Sequence, residues 1–303
     1  MVDHPQDQKD WQKVQNFKLI DKKYYMKNHV LGKGNFAETY LATRVEDENQ
    51  ILACKMIAKQ QIMEKLKRAP DPEGRKKYII DALKNEVQLW KELDHPNIVK
   101  FIDFSETPNN IYFFLEYCNG GDLDKLIKKQ GRLSEVETIH YFKEIIDGCD
   151  FLYKKAIIHR DLKPENILIH NGTAKIADFG FAKVIDYDNR EKAATQTYVG
   201  TPYYMAPQII NGEEYSIKCD IWSLGVMLYQ ALYGMVPFSD KTSLESLAQK
   251  IKQAEIKFPP SIPVCIEIKE LIQKMLTADE DKRISIAEVK VIIDEIYAKK
   301  CQN

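Results

Sequence analysis

From residue 24 to about residue 116, short, largely apolar stretches of β type alternate with more polar turns. These β-type segments fall at residues 29–31, 38–43, 51–57, 101–104 and 111–115. One helical spacing interrupts them, with Ile79, Leu83, Glu86, Val87 and Trp90 on neighbouring faces. From Asp122 onward helical spacing dominates. Ser134 to Glu137 reads as a capping box opening a helix with apolar positions Val136, Ile139, Phe142, Ile146, Cys149 and Leu152. Residues 217–232 are apolar nearly all round, the mark of a buried helix. A second capping box, Ser285 to Glu288, opens a last helix ending near Ala298. Residues 1–23 are polar and read as a loose lead-in. Residues 65–77, with Pro70, Pro72 and Gly74, are too punctuated for a single helix; six basic residues there read as a solvated loop or a partner-binding one. A strand-rich part followed by a helix-rich part is α+β.

Composition narrows the class without deciding it. At 303 residues, 44% hydrophobic and 29% charged, the chain reads as an ordinary globular protein of roughly two lobes. A net charge of −1 gives no field that favours nucleic acid or anionic membrane. Six widely spaced cysteines with no CxxC pair suit a reducing compartment. No apolar run reaches membrane-spanning length, no signal-peptide core is present, and neither prenylation nor myristoylation is indicated. The expectation is a cytoplasmic protein without integral membrane association.

The chemistry concentrates in the run from His159 to Asn166, followed twelve residues after Asn166 by Asp178-Phe179-Gly180. This spacing suits phosphoryl transfer from Mg-ATP. Asp161 can take the proton of an attacking hydroxyl, Asn166 and Asp178 offer hard oxygen ligands to Mg²⁺, and Lys163 can neutralise charge on the moving phosphoryl group. Upstream, Leu31-Gly32-Lys33-Gly34-Asn35-Phe36-Ala37 lies between two β-type stretches, where glycines let backbone N–H groups approach a triphosphate. Alone it would be a hairpin turn. Alternation puts Ala53 and Lys55 on one strand face, so Lys55 can reach the α- and β-phosphates if a carboxylate holds it. Glu86, on the only helix expected in this lobe, is a better candidate than Glu73 or Glu92; by itself it would be a solvent-facing charge. His159 reads as a core histidine satisfied by backbone, packed with Phe179, Trp90 and Phe101. Arg160 can wait for a phosphate on the loop downstream, where Thr195, Thr197, Tyr198 and Thr201 stand. Thr197 is the preferred phosphosite, and Thr201 is grouped with it as regulatory. Asp220 is either a simple helix cap or a buried acceptor for backbone N–H groups of the catalytic loop.

Together these residues resemble the eukaryotic protein kinase family over residues 24–298. The resemblance implies a bilobal fold: a small antiparallel β-sheet lobe with one main helix (24–116), a hinge (116–121), a larger mainly helical lobe (122–298) and a short tail (299–303). It also implies an ATP site in the cleft with Mg²⁺. On that basis Lys55 and Glu86 look like the phosphate-holding ion pair, Asp161 the catalytic base, and Asn166 and Asp178 the metal ligands. Leu115 looks like the gatekeeper, with Glu116 to Cys118 as the adenine-binding hinge. Leu168 joins Leu31 to Ala37, Thr39 and Ala53 in the expected nucleotide set. Lys163 and Gly200-Thr201-Pro202 are similar to serine/threonine rather than tyrosine kinases. Three segments, 116–123, 157–164 and 175–182, resemble the autophagy-initiating serine/threonine kinases, as does Ala37 at the third glycine.

Several positions depart from the family pattern. Ala37 replaces a glycine, and Thr39 stands where an apolar residue normally covers the adenine. Gln208 replaces the glutamate of Ala-Pro-Glu, which would leave Arg283 without a charged partner. The separation of 31 positions from Lys55 to Glu86 makes residues 65–77 look like an insertion. The chain also ends soon after the domain, so it is a trimmed form or acts without the long C-terminal regions of autophagy kinases. The expected activity is transfer of the γ-phosphoryl of ATP to a serine or threonine of a protein substrate. Activation would come from another kinase or from autophosphorylation in trans. The rivals are a pseudokinase scaffold, supported by Ala37, Thr39 and Gln208, and a small-molecule phosphotransferase. Asp122 and Glu165 suggest tolerance for basic residues near the phosphoacceptor, or are surface carboxylates with no such role.

Overall fold

The computed structural model describes residues 15–34, 37–67, 71, 74, 77, 80, 83, 87–88, 90–179, 182–184, 201–240 and 242–301. The chain divides into two compact units, Met1–Asn119 and Gly120–Asn303.

The first unit is built on a six-stranded antiparallel sheet. Its strands are β1 (Asn16–Ile20), β2 (Tyr24–Lys33), β3 (Ala37–Arg44), β4 (Ile51–Ala58), β5 (Phe101–Glu106) and β6 (Asn110–Glu116), in the spatial order β1-β2-β3-β4-β6-β5. Alternation sorts the side chains onto two faces. One face carries the core cluster of Ile20, Tyr24, Met26, Ala42, Leu52, Cys54, Tyr112 and Phe114. The sheet is curled: Lys18 on β1 donates to the Tyr112 hydroxyl on β6 at 2.6 Å. Four strand spacings on a flat sheet would put them roughly 19 Å apart, beyond a lysine's reach.

Two elements of this unit depart from expectation. β1 lies inside the stretch read as a loose lead-in. Its apolar residues Phe17 and Leu19 are 59% and 50% exposed while Ile20 is buried, so the hydrophobic pattern does not reveal the strand. A helix, α1 (Lys59–Leu66), follows β4 directly, and Glu86 is therefore not on the only helix of the lobe. Nothing signals the start of α1: its N-cap is Ala58, without a side-chain cap, and its first turn holds no acid. Leu83, Val87 and Trp90 are helical, as their spacing predicts; Ile79 and Glu86 fall outside the described residues. β2 runs well beyond residues 29–31, and the bulges flanking Val30 account for its irregular burial.

The second unit is mainly helical. Its helices are α2 (Leu123–Gln130), α3 (Glu135–Lys154), α4 (Pro207–Asn211), α5 (Lys218–Tyr233), α6 (Leu244–Gln253), α7 (Ile266–Met275) and α8 (Ile286–Cys301). Both capping boxes form. Ser134 accepts from Glu137 N while Glu137 reaches back to Ser134 N, and Ser285 and Glu288 do the same. The apolar stripe of α3 is buried except for Val136, whose turn is tied by polar contacts instead: Glu135 accepts from Cys265 N and from Lys300. α5 is buried along almost its whole length. Two small two-stranded sheets complete the unit: β7 (Ile157–Ile158) with β10 (Lys183–Val184), and the hairpin of β8 (Ile167–His170) with β9 (Thr173–Ile176). Among the described residues, no helix is long and apolar enough to cross a membrane.

Candidate active site

In the first unit the expected nucleotide residues share the sheet face opposite the aromatic cluster. Lys55 pairs with Thr39 on one side and Phe113 on the other; Ala53 pairs with Leu41 and Leu115; Ala37 pairs with Ile57. One face thus presents Ala37, Thr39, Ala53, Lys55 and Leu115. Gly32 lies opposite Thr39, and a Cβ added to it would meet nothing within 4 Å. The fold itself does not require glycine there, whereas a ligand approaching the backbone would. Gly34 N donates to Ala37 O at 2.8 Å and closes the loop; Asn35 and Phe36 lie outside the described residues. Lys33 is ion-paired with Glu38 at 2.8 Å on the exposed side. Glu116 exchanges backbone and side-chain bonds with Lys100, fixing the end of β6, and Cys118 beyond it is partly exposed. Glu86 also lies outside the described residues, as do Thr195, Thr197, Tyr198 and Gly200.

In the second unit the loop after β7 gathers the expected catalytic groups. Asp161 is 6% exposed, and both its oxygens are engaged. Oδ2 accepts from Lys163 Nζ at 2.6 Å and from Asn166 Nδ2 at 3.1 Å; Oδ1 accepts from the Thr201 hydroxyl at 3.3 Å. Lys163 Nζ also donates to Thr201 Oγ1 at 3.0 Å. Thr201, grouped by sequence with the regulatory residues, therefore stands beside the expected base. Nothing local in the sequence reveals that contact, because 40 positions separate the partners.

The loop is held from beneath. His159 N and Arg160 N both donate to the Asp220 carboxylate at 2.8 Å, so Asp220 is the buried acceptor rather than a simple cap. Burial pushes its carboxyl up, opposed by His159 and by the two N–H groups. His159 is a core residue. Its Nε2 bonds Ala177 O at 3.0 Å, its Nδ1 accepts from Asp161 N, and its ring meets Phe179 edge-on at 5.2 Å. Trp90 and Phe101 pack against each other in the first unit. Arg160 has φ +69°, a conformation that costs a non-glycine residue of the order of 1 kcal/mol, and its Nη1 lies 3.5 Å from the Tyr215 hydroxyl.

Asn166 and Asp178 are brought together by the β8–β9 ladder. Ile167 faces Ile176, and Ala177 N donates to Asn166 O at 2.8 Å, so Asp178 follows directly beside Asn166. Asp178 takes φ +61°, a left-handed backbone conformation that breaks the extended course of the chain beyond β9. Asn166 Nδ2 is spent on Asp161, leaving the amide oxygen for a cation. One carboxylate and one amide oxygen, both hard donors, fit Mg²⁺ arriving with phosphates. Among the described residues no group of three or more His, Cys, Asp or Glu could hold a metal ion. Leu168 of the nucleotide set pairs with Asp122 through an isolated bridge. Gly120 N donates to Ile169 O so closely that a Cβ on Gly120 would fall 2.9 Å from Ile169, which explains a glycine there. Asp122 caps α2 and pairs with Lys125; burial raises the Glu165 carboxyl, with Asp124 adding to it.

The protein kinase domain model matches residues 25–292. The chain belongs to the protein kinase family. Relatives of this kinase domain include CBL-interacting serine/threonine-protein kinase 2 of Arabidopsis thaliana, 36% identical over 88% of this chain and 55% of the relative. CBL-interacting serine/threonine-protein kinase 16 of the same plant is 33% identical over 90% of the chain and 56% of the relative. CBL-interacting protein kinase 26 of Oryza sativa subsp. japonica is 37% identical over 86% and 50%. The kinase domain here spans about half the length of the curated relatives it matches.

Proposed function

We propose that this kinase domain transfers the γ-phosphoryl of Mg-ATP to a serine or threonine hydroxyl of a protein. The observation that carries the reading is the closed set around Asp161. Lys163 and Asn166 orient one carboxylate oxygen, and Thr201 contacts the other. Such a group can align an incoming hydroxyl and accept its proton as the phosphoryl leaves. Asn166 Oδ1 and Asp178 would hold Mg²⁺, which shields the triphosphate and the charge developing on it. Lys55 would steady the α- and β-phosphates from its strand face, and Lys163 would balance charge on the transferred group. A phosphate on Thr197, from another kinase or from a second copy in trans, would find Arg160 as its partner. Relatives named as serine/threonine kinases support the choice of hydroxyl. They lend nothing to the narrower likeness to autophagy-initiating kinases. The pseudokinase reading gains no support from the second unit, where Asp161, Asn166 and Asp178 stand in mutually supporting positions.

The test is transfer of labelled phosphate from ATP to a generic protein substrate. Lys55→Met and Asp161→Asn are each expected to reduce it to background. Undiminished transfer by either variant would remove that residue from the mechanism, and Mg-ATP binding without turnover by the parent chain would favour a scaffold.

A further inference from the structure

The β8–β9 hairpin carries Asn166 and Asp178 at its open end, and paired strands of four residues do not hold their shape in water unaided. Its β8 edge is tied by Gly120 N donating to Ile169 O at 2.8 Å and by Ile169 N donating to Gly121 O at 2.9 Å. Ile169 faces Ala174 across the ladder. Because Ile169 directs its N–H outward, the antiparallel pattern directs the Ala174 N–H outward too, on the opposite edge. There it meets a side chain of α3: Ala174 N donates to Glu144 Oε2 at 2.7 Å.

Glu144 differs from the neighbouring carboxylates of the same helix. Asp147 pairs with Lys143 and Lys290, and Asp150 pairs with Lys154, ordinary ion pairs along or between helices. Glu144 is half-buried against a strand, and burial pushes its carboxyl up while the Ala174 N–H pulls the other way. A carboxylate serving only solubility would stay in water. This one accepts a desolvation cost and anchors backbone four residues ahead of Asp178, on a ladder whose last bond joins Ala177 to Asn166.

We infer that Glu144 is a positioning residue: it fixes the outer edge of β9 to α3 and thereby sets where Asn166 and Asp178 stand for the metal. The inference rests on reading those two residues as Mg²⁺ ligands. It is tested on the full chain by titrating Mg²⁺ at fixed concentration of a fluorescent ATP analogue and following anisotropy.

Glu144→Ala is expected to raise the Mg²⁺ concentration for half-maximal binding by about three- to tenfold, below or at the low end of what losing a direct partner of a metal ligand costs. Glu144→Gln keeps an acceptor oxygen and is expected to stay within about twofold of the parent, a rescue that bulk destabilisation would not produce. Glu144→Asp keeps the charge but shortens the reach. It is expected to raise the Mg²⁺ requirement as well, and it serves if the alanine variant does not fold. An unchanged Mg²⁺ requirement in the alanine and aspartate variants, even with a lower Tm, would overturn the inference, as would a glutamine variant as impaired as alanine. Nucleotide binding by the parent that is indifferent to Mg²⁺ would instead remove the metal-ligand reading itself, and this inference with it.

Discussion

Arg283 is only 2% exposed, and no carboxylate bonds its guanidinium among the described residues. Its charge is met by the Thr277, Lys218 and Ala278 carbonyls, by Gln208 Oε1 at 2.9 Å and by the Trp222 ring at 5.1 Å. Burial accordingly pulls its pKa from 12.5 to about 10. Gln208 does more than replace a lost carboxylate, because its Nε2 also donates to Ala278 O at 2.6 Å. A glutamate at this position would gain charge attraction to Arg283 and turn an oxygen against the Ala278 carbonyl. Gln208→Glu is therefore expected to stay within about 1 kcal/mol of the parent, while Gln208→Ala, which strips a bond from a buried charge, is expected to cost about 2 kcal/mol. Chemical denaturation of the three proteins checks this; a large gain from glutamate would mean that the amide's second bond contributes nothing. The sequence could show that a carboxylate was missing but not that an amide suited the place, since the deciding carbonyl lies 70 positions away.

At the scale of elements, α8 is held to α3 by a four-membered ion network. Lys143 bonds Asp147 at 2.9 Å and Asp294 at 3.3 Å, and Lys290 bonds Asp147 and Asp294. Burial raises the Asp147 carboxyl, but hydrogen bonds from Lys290 and Lys143 outweigh it and leave the group below the ordinary carboxylate range. A depressed carboxyl stabilises the folded state above its unfolded pKa of about 3.9 and loses that contribution as pH falls through the folded value. Asp147→Asn is thus expected to cost about 1 kcal/mol near neutrality, discounted for partial exposure. The gap from the parent should close as pH falls below about 4, and it should shrink in high salt. Thermal scans across pH check this; a gap independent of pH would show that packing rather than charge holds α8. Elements with local signals were legible in sequence: both capping boxes form, and the lysine face of β4 follows from alternation. β1 and α1 were not, because one exposes its apolar residues and the other starts without a cap. The meeting of Thr201 with Asp161 and of Glu144 with Ala174 depends on the path of the whole chain, to which no short window of residues gives access.

For the molecule as a whole, two separately cored units give a direct test of the proposed activity. Lys55 belongs to the unit Met1–Asn119, and Asp161, Asn166 and Asp178 belong to Gly120–Asn303. A ligand that binds only the folded state adds stability that grows with the logarithm of its concentration relative to Kd, about 2.7 kcal/mol at a hundred times its Kd. A non-hydrolysable ATP analogue with Mg²⁺ is therefore expected to raise the Tm of the full chain by several degrees, and chelation of Mg²⁺ by EDTA should remove most of that rise. Calorimetry makes the result more discriminating than a single Tm, because units with their own cores can unfold as separate transitions. If one Mg-nucleotide draws on residues of both units, the ligand should move every transition, and Lys55→Met and Asp178→Ala should each blunt the whole response. A shift confined to one transition, or one that survives in Asp178→Ala with Mg²⁺ present, would mean that the nucleotide engages a single unit, and the assignment of its ligands would have to be withdrawn from the other.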